Sequence, residues 1–270
     1  MIADMHTHSE NSHDSVCKIE DMYLSQLKNG TEIFAVTDHF DTTSFLYNDV
    51  FTPIKTANAA VKELNRKYGN KHSILLGIEI GESFWYPEIY KKAIELADYD
   101  VVIGSVHLVK YKDLTMAYSQ IDFSKLTKAE IIKYLDAYFD DMITMIEFAD
   151  FDILAHLTCP LRYINGKYKI GIDISYYDKK IVKILEMIIQ KKIALEVNTS
   201  SFYMLNDFMP TTDILKKYYD MNGYLITLGS DAHTCENASV NFSKAIKTLK
   251  EIGFKNIYYY KNRKPYQITI

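Results

Sequence analysis

Arginine, cysteine and glycine are scarce in this 270-residue chain, and neither apolar nor like-charged residues gather into long runs. With ten glycines and five prolines spread along it, no flexible linker divides the sequence, and it has no low-complexity segment or short-period repeat. Without an uninterrupted apolar stretch of roughly 18 residues, a membrane-spanning helix is not expected. The first residues lack a basic region followed by an apolar run, so no signal peptide is expected either. Lysine and arginine number 31 against 35 acidic residues, a net charge of −4. That balance argues against a surface that tracks nucleic acid, and no charge tract points to a polyanion. The three cysteines, Cys17, Cys159 and Cys235, are scattered and odd in number. They read as small buried apolar side chains in a reducing compartment. The expectation is a soluble cytoplasmic protein with no nucleic-acid or membrane partner; oligomeric state leaves no mark in the sequence.

What the chain does have is apolar content, 48%, enough for a large core. Seven short β-branched or apolar runs read as strands: 1–6, 32–38, 73–80, 100–106, 151–156, 193–198 and 224–230. Helical spacing fills the intervals, at about 19–29, 54–68, 88–97, 128–148, 179–191, 211–221 and 238–251. Pro87 suits a first helical turn, and Gly30, Gly69 and Gly223 follow helical runs where a left-handed cap is commonly needed. Seven strand–helix units without a break predict one domain over 1–270, an α/β fold of parallel strands closed into a barrel. An open doubly wound sheet is the alternative. Residues 254–270 read as a terminal appendage of two strands around a turn at 262–265.

Eight histidines are present, and seven fall at or just past the C-terminal end of a predicted strand. His6, His8 and His13 follow the first, His39 the second, His107 the fourth, His156 the fifth and His233 the seventh. His72 alone precedes its strand and reads as a loop histidine. In a parallel barrel this is the rim on which loops build active sites. His6 and His8 are two apart, so on an extended strand both imidazoles face one side and can hold one metal ion. Asp231 and His233 repeat the spacing in "GSDAH". Glu79 lies in the apolar run "LLGIEI", where an unpaired carboxylate is costly and a bridging role between cations removes the cost. Singly, each has an ordinary alternative. His39 and His156 fit hydrogen-bonded core histidines, His13 a solvated loop, Glu79 a lysine partner and Asp231 a helix cap. Together they indicate a polynuclear metal site, because uncompensated imidazoles on one rim would repel one another once protonated.

These residues carry a resemblance. "HTH" at 6–8, "TDHF" at 37–40, "GIEIGE" at 77–82, "GSVH" at 104–107, "AHL" at 155–157 and "GSDAH" at 229–233 resemble, in order and over nearly the whole chain, the polymerase-and-histidinol-phosphatase (PHP) superfamily. Within it, the opening and the ending are most similar to the stand-alone histidinol-phosphate phosphatases. The resemblance implies a distorted seven-stranded, TIM-like (β/α)7 barrel with three divalent metal ions at its C-terminal rim. Carried over by position, His6, His8, Glu79 and Asp231 hold the first ion. Glu79, His107 and His156 hold the second, and His13, His39 and His233 the third. Every position of that pattern is present.

Three divalent cations against two carboxylates leave a positive centre suited to a phosphate dianion. The expected reaction is hydrolysis of a phosphoric monoester, with L-histidinol phosphate giving L-histidinol in histidine biosynthesis. A metal-bridging hydroxide would attack phosphorus directly, and Asp231 or a metal-bound water would protonate the departing alcohol. Glu79 and Asp231 are the catalytic candidates. Of the three arginines, Arg66, Arg162 and Arg263, only Arg162 closely follows a ligand-bearing strand end. Its guanidinium is the candidate grip on phosphate. Residues 108–127 form a long connection, a lid or substrate wall on one reading and a structural insertion on the other. Glu82, Asp14 and Asp38 fit either outer partners of ligand imidazoles or solvated caps. Zinc is the expected metal, with iron or manganese also compatible. The competing functions are a phosphoesterase of the same superfamily acting on a phosphotyrosine peptide or nucleotide, and a non-catalytic metal-stabilised scaffold.

Overall fold

The computed structural model describes residues 1–68, 73–111 and 116–270, so Gly69 and His72 lie outside the described residues. Its strands are β1 (Ala3–Thr7), β2 (Ile33–Val36), β3 (His39–Asp41), β4 (Ser73–Gly81), β5 (Val101–Ser105), β6 (Ile153–Leu154), β7 (Ala194–Asn198), β8 (Ile226–Gly229), β9 (Asn256–Lys261) and β10 (Lys264–Thr269). The helices are α1 (Ile19–Lys28), α2 (Phe51–Tyr68), α3 (Pro87–Ile94), α4 (Lys128–Phe148), α5 (Asp178–Lys191), α6 (Phe202–Leu205), α7 (Thr212–Asp220) and α8 (Phe242–Ile252). Each of the seven strands and seven helices read from the sequence has a counterpart; the short α6 had no periodic signal.

The parallel order is β1-β2-β4-β5-β6-β7-β8, with β3 continuing the line of β2 against β4. Helices cover the outside and side chains fill the inside, so these strands are buried on both faces, which is why they read as continuous apolar runs. The seam between β8 and β1 is drawn together just past the strand ends, by a parallel bridge of Thr7 to Ala232 and by Asp231 N donating to His6 O at 2.8 Å. The result is a nearly closed barrel, and the open-sheet alternative falls away. Asp4 pins the seam from within. It is fully buried, and its carboxylate accepts from Ser230 N at 3.0 Å, Ser230 Oγ at 2.6 Å and Gln26 Nε2 at 2.7 Å.

Two local expectations need correction. Gly30 does adopt a left-handed conformation (φ 78°), but after α7 that role falls to Asn222 (φ 64°) and not to Gly223. Gly223 is small for another reason: a β-carbon there would overlap the Tyr218 ring. The cysteines also differ from expectation. Cys17 and Cys235 form a disulfide, and only Cys159 is a free buried thiol. The cysteine count therefore says nothing about a reducing compartment. Among the described residues no helix is long and apolar enough to cross a membrane.

The terminal strands pair as an antiparallel hairpin whose turn is Asn262–Arg263, both at positive φ as a two-residue turn of this hand requires. Pro265 sits in β10, paired only on one side, where a missing N–H costs nothing. Phe254, Ile257, Tyr260 and Ile268 join the core. Arg263 reaches the barrel's lower end, where its Nε meets Asp152 and its backbone N donates to Asp100 O at 2.8 Å. Asp152 is buried and also accepts from Val102 N, so Arg263→Ala strands a carboxylate in a low-dielectric setting. We expect a loss of about 1–3 kcal/mol, discounted from a fully buried pair because Arg263 is partly exposed. Urea denaturation measures it; an unchanged midpoint would show that the pair contributes nothing.

Candidate metal centre

Glu79, wholly inaccessible to solvent near the end of β4, is the centre of the site. Its Oε1 lies 3.2 Å from His107 Nε2 and 3.0 Å from His156 Nε2. Its Oε2 lies 3.3 Å from His6 Nε2, 3.6 Å from His8 Nε2 and 2.9 Å from His39 Nδ1. Asp231 completes the ring, with Oδ1 3.3 Å from His8 Nε2 and 3.8 Å from His6 Nε2. The histidine rings crowd one another; His8 stacks on His39 at 4.2 Å and on His233 at 4.1 Å between centroids.

Four sets of three donors lie close enough to share a cation: His6, His8 and Asp231; His6, Glu79 and His156; His39, Glu79 and His107; and His8, His39 and His233. His6 Nε2, His8 Nε2, His39 Nδ1 and Glu79 Oε2 are buried without a hydrogen-bond partner among the described residues. Buried polar atoms left unsatisfied and aimed at one point are costly unless a cation completes them. The donor set therefore fits divalent metal. His13 is the one expected ligand the fold keeps apart: its side chain is 70% exposed and its ring centroid lies 5.3 Å from that of His39. Asp14 comes closer, 3.6 Å from His39 Nε2 and 3.2 Å from His233 Nε2.

The electrostatics of the protein alone follow from this crowding. Burial by itself would lower the pKa of His6, yet Glu196, Glu79 and Asp231 raise it well above the ordinary value. His107 rises likewise through Glu79 and Asp41, and His39, also against burial, is pushed up to about 10 by Glu79 and Asp14. His8 goes the other way, lowered by burial and by the neighbouring His233 and His39. Burial opposes ionisation of Glu79 and Asp231, but the surrounding imidazoles hold both carboxyls well below their usual range.

Remote ring nitrogens are fixed by a second layer, part of which sequence reasoning missed. Glu196 on β7 holds His6 Nδ1 at 2.6 Å and accepts from His156 N at 2.6 Å. Asp41 holds His107 Nδ1 at 2.9 Å, and Ser12 lies 3.1 Å from His8 Nδ1. The signal for Glu196 was present: "ALEVN" carries one carboxylate inside an apolar strand, as "LLGIEI" does at Glu79. The three outer candidates behave differently from one another. Asp38 acts through Ser12, while Glu82 accepts from the backbone N–H groups of His107 and Leu108 and, among the described residues, hydrogen-bonds no imidazole. His156 (φ 23°), Glu82 (φ 47°) and Asp231 (φ 51°) all sit in left-handed backbone, strain of the kind that clusters at functional sites. Gly229 admits this layer, since a β-carbon there would overlap Glu196 Oε1 and crowd His6.

Arg162 begins a π-helical turn (Arg162–Lys167) beyond His156. Its Nη1 lies 3.2 Å from Ser200 Oγ and 3.9 Å from Asp231 Oδ2, and its Nε is buried without a partner among the described residues. Next to the ligand cluster opens a cavity of about 680 Å3 that shares His39 with it and is further walled by His13, Asp41, Asp49, Trp85 and Lys110. The described part of the 108–127 connection supplies Leu108, Lys110, Met116, Ala117 and Gln120 to that wall, while Val109, Tyr118, Ile121 and Phe123 anchor it in the core. It is both wall and packed insertion; residues 112–115 lie outside the described residues.

Barrel and ligand cluster together define a protein built to hold metal at a strand-end rim. The sequence pattern of the family described as PHP domain matches residues 4–200, and the chain belongs to that family. A probable histidinol-phosphatase of Clostridium acetobutylicum is 28% identical over 271 residues, covering 98% of this chain and all of that one. The histidinol-phosphatase of Lactococcus lactis is 26% identical over 94% of this chain and 92% of its own. A crystal structure of histidinol phosphate phosphatase from Lactococcus lactis, complexed with zinc, L-histidinol and phosphate, superposes with a TM-score of 0.78 at 21% identity over 98% of both chains.

Two outcomes are expected from this geometry. Glu196→Gln keeps the bond to His156 N but loses the charge that orients His6, and should weaken cation binding about 10–100-fold; competition with a chromogenic chelator reads it, and unaltered affinity would make Glu196 merely structural. Protein stripped of metal should release roughly two or more protons per chain on adding zinc at pH 7, because His6, His39 and His107 hold protons that a cation must displace. Affinity accordingly falls as pH falls. In the stripped protein the His39 contribution to stability is complete below its unfolded value of about 6.5 and fades as pH rises toward 10. A pH-stat titration showing no release would contradict this.

Proposed function

We propose that this chain is a metal-dependent phosphoric monoester hydrolase that converts L-histidinol phosphate to L-histidinol. The observation that carries the reading is Arg162. An arginine whose buried Nε has no partner among the described residues stands beside Asp231 at the edge of the imidazole cluster, where an anion bound to the centre would meet it. Full-length similarity to proteins named histidinol-phosphatase, one of them solved with zinc, L-histidinol and phosphate, supports the substrate.

Of three divalent ions, zinc by preference, one would be held by His6, His8, Glu79 and Asp231, and one by Glu79, His107 and His156. The third falls to His39 and His233 with the loop bearing His13. Bound cations would supply Lewis acidity and positive charge to activate water and steady the transferring phosphoryl group. The residues do the rest. Glu79 gives one oxygen to each side of the cluster and fixes their separation. Arg162 grips phosphate oxygens with geometry a lysine cannot copy. Asp231, ionised at rest, can take up a proton before it can give one, so it is a poor resting acid for the leaving alcohol. Its Oδ2 is steadied by Asn198 Nδ2 at 3.3 Å and Ser200 Oγ at 3.4 Å. The leaving group would occupy the adjoining cavity, where Asp49 suits a cationic amine and the Trp85 ring, on which Lys110 Nζ now rests at 4.3 Å, suits a heteroaromatic one. The cation, the ring and the phosphate are then read by three separate walls.

Arg162→Ala should raise KM for phosphate monoesters about 10–100-fold while leaving bound metal unchanged, the cost of a lost charge-assisted pair; unaltered kinetics would refute the role. Turnover of L-histidinol phosphate should exceed that of p-nitrophenyl phosphate and a phosphotyrosine peptide by about 100-fold or more in kcat/KM, with metal content measured on the same sample. Comparable values would overturn the substrate assignment, and a stoichiometric metal centre without turnover would favour a scaffold.

A further inference from the structure

We propose that the Cys17–Cys235 pair is a reversible redox modification site, a latch that sets how firmly the outermost cation is held. The inference rests on the metal-centre reading but not on the identity of the substrate. Cys17 ends the loop that leaves β1 and carries His13 and Asp14; Cys235 lies two residues beyond His233 on the loop that leaves β8. Their Cα atoms are 5.5 Å apart, and the bond joins positions 218 residues distant. It ties the two loops directly behind the point where Asp14 faces His233 at 3.2 Å and His39 Nε2 faces His233 Nε2 at 3.4 Å.

Among the described residues the loops are otherwise joined by His8 N donating to Ala232 O at 3.0 Å, by Ser15 Oγ donating to His233 O at 2.9 Å and by the half-exposed Asp14 facing His233. Ser15 Oγ also reaches His8 O at 3.2 Å, and Glu10 N donates to Cys17 O at 2.9 Å within the first loop itself. The hydrogen bonds between neutral groups each contribute about 1 kcal/mol, and the solvent-exposed charged contact adds little more. The inner donors are placed differently. His6 and Glu79 lie within strands, His8, His107 and His156 just beyond strand ends, and carboxylates or Ser12 fix three of these rings from behind. Opening the latch therefore loosens His233 and the Asp14 loop while the inner donors stay in place.

The chemistry balances with a low-molecular-weight disulfide as oxidant. Cys235, the less buried of the two, attacks one sulfur of that disulfide, forms a mixed disulfide and releases one thiol. Cys17 then attacks the Cys235 sulfur and releases the second thiol. Two electrons pass from the cysteine pair to the external disulfide, and the two cysteine protons leave with the released thiols. A small dithiol reverses both steps. Cys159, buried on the Arg162 side of the site, takes no part.

The test uses the full chain loaded with zinc in four forms: exposed to glutathione disulfide, reduced with a phosphine that is then removed, Cys17→Ser/Cys235→Ser, and Cys159→Ser as control. Thiols are alkylated under denaturing conditions and counted by mass, and zinc per chain is measured after dialysis against graded chelator. The oxidised wild type should show one alkylated thiol and the reduced form three, matching one free cysteine and one bonded pair. With the latch open, by reduction or by substitution, one zinc should leave at about tenfold lower chelator concentration, since its ligand loops are no longer preorganised; the remaining two should be retained as in oxidised wild type and Cys159→Ser. Three alkylated thiols after glutathione disulfide, or identical zinc retention in all four forms, overturns the latch alone. A chain that binds no zinc in any form overturns the metal centre and the latch together.

Discussion

A carboxylate with no access to water is tolerable only if positive charge surrounds it, and Glu79 imposes that condition on the whole upper half of this barrel. Five imidazoles drawn from four different strand ends meet its two oxygens. None of these strands could shift register by one residue without turning its histidine away from Glu79. The barrel's closure, the left-handed backbone at His156 and Asp231, and the absent side chain at Gly229 all serve the same convergence. The electrostatic problem is only half solved by protein groups. Imidazoles crowded together repel once protonated, and with burial this drives the His8 pKa down beside His233 and His39, whose own values are raised. A cation shared among them satisfies the carboxylates and the rings at once.

The second layer makes the arrangement specific. Glu196 fixes which nitrogen of His6 points inward and, through the same carboxylate, holds the strained His156 backbone. Two donors that face different oxygens of Glu79 are thus set by one side chain on β7. Asp41 does the corresponding work for His107, and a β-carbon at Gly81 would overlap it. The two glycines that end β4 and β8 are therefore places where strand meets the second layer, and each is needed for room and not for flexibility.

Much of this was legible in the sequence, for identifiable reasons. Parallel strands buried on both faces announce themselves as apolar runs, and helices on the outside keep a 3.6-residue period, so the seven units were plain. Histidines placed after strands were equally plain, because nothing in packing asks for them there. Glu196 escaped notice although its setting copies that of Glu79; a second carboxylate in a second apolar strand was the available signal. The Cys17–Cys235 bond could not be read at all, since two residues 218 apart meet only through barrel closure. Asn222 in place of Gly223 shows the same limit at short range. Both can occupy a left-handed cap, and it was the Tyr218 ring, unseen in a linear reading, that required the glycine.

The donors of the site differ, from floor to rim, in how they are anchored. Its floor consists of strand residues and strand ends held by buried carboxylates. Its outer edge consists of two loops, with His13 largely in solvent and Asp14 nearer the other rings than its neighbour is. Cations bound at the floor are held by donors whose positions the fold dictates, whereas one at the rim depends on how two loops are held together. Under the proposed function, substrate would enter over that same rim, between the Arg162 side and the cavity walled by Trp85 and Lys110. The loop-borne donors would thus stand where, on that reading, phosphate arrives and product leaves. A fold that made them as stiff as the floor would retain its outer cation more firmly and exchange its ligands more slowly.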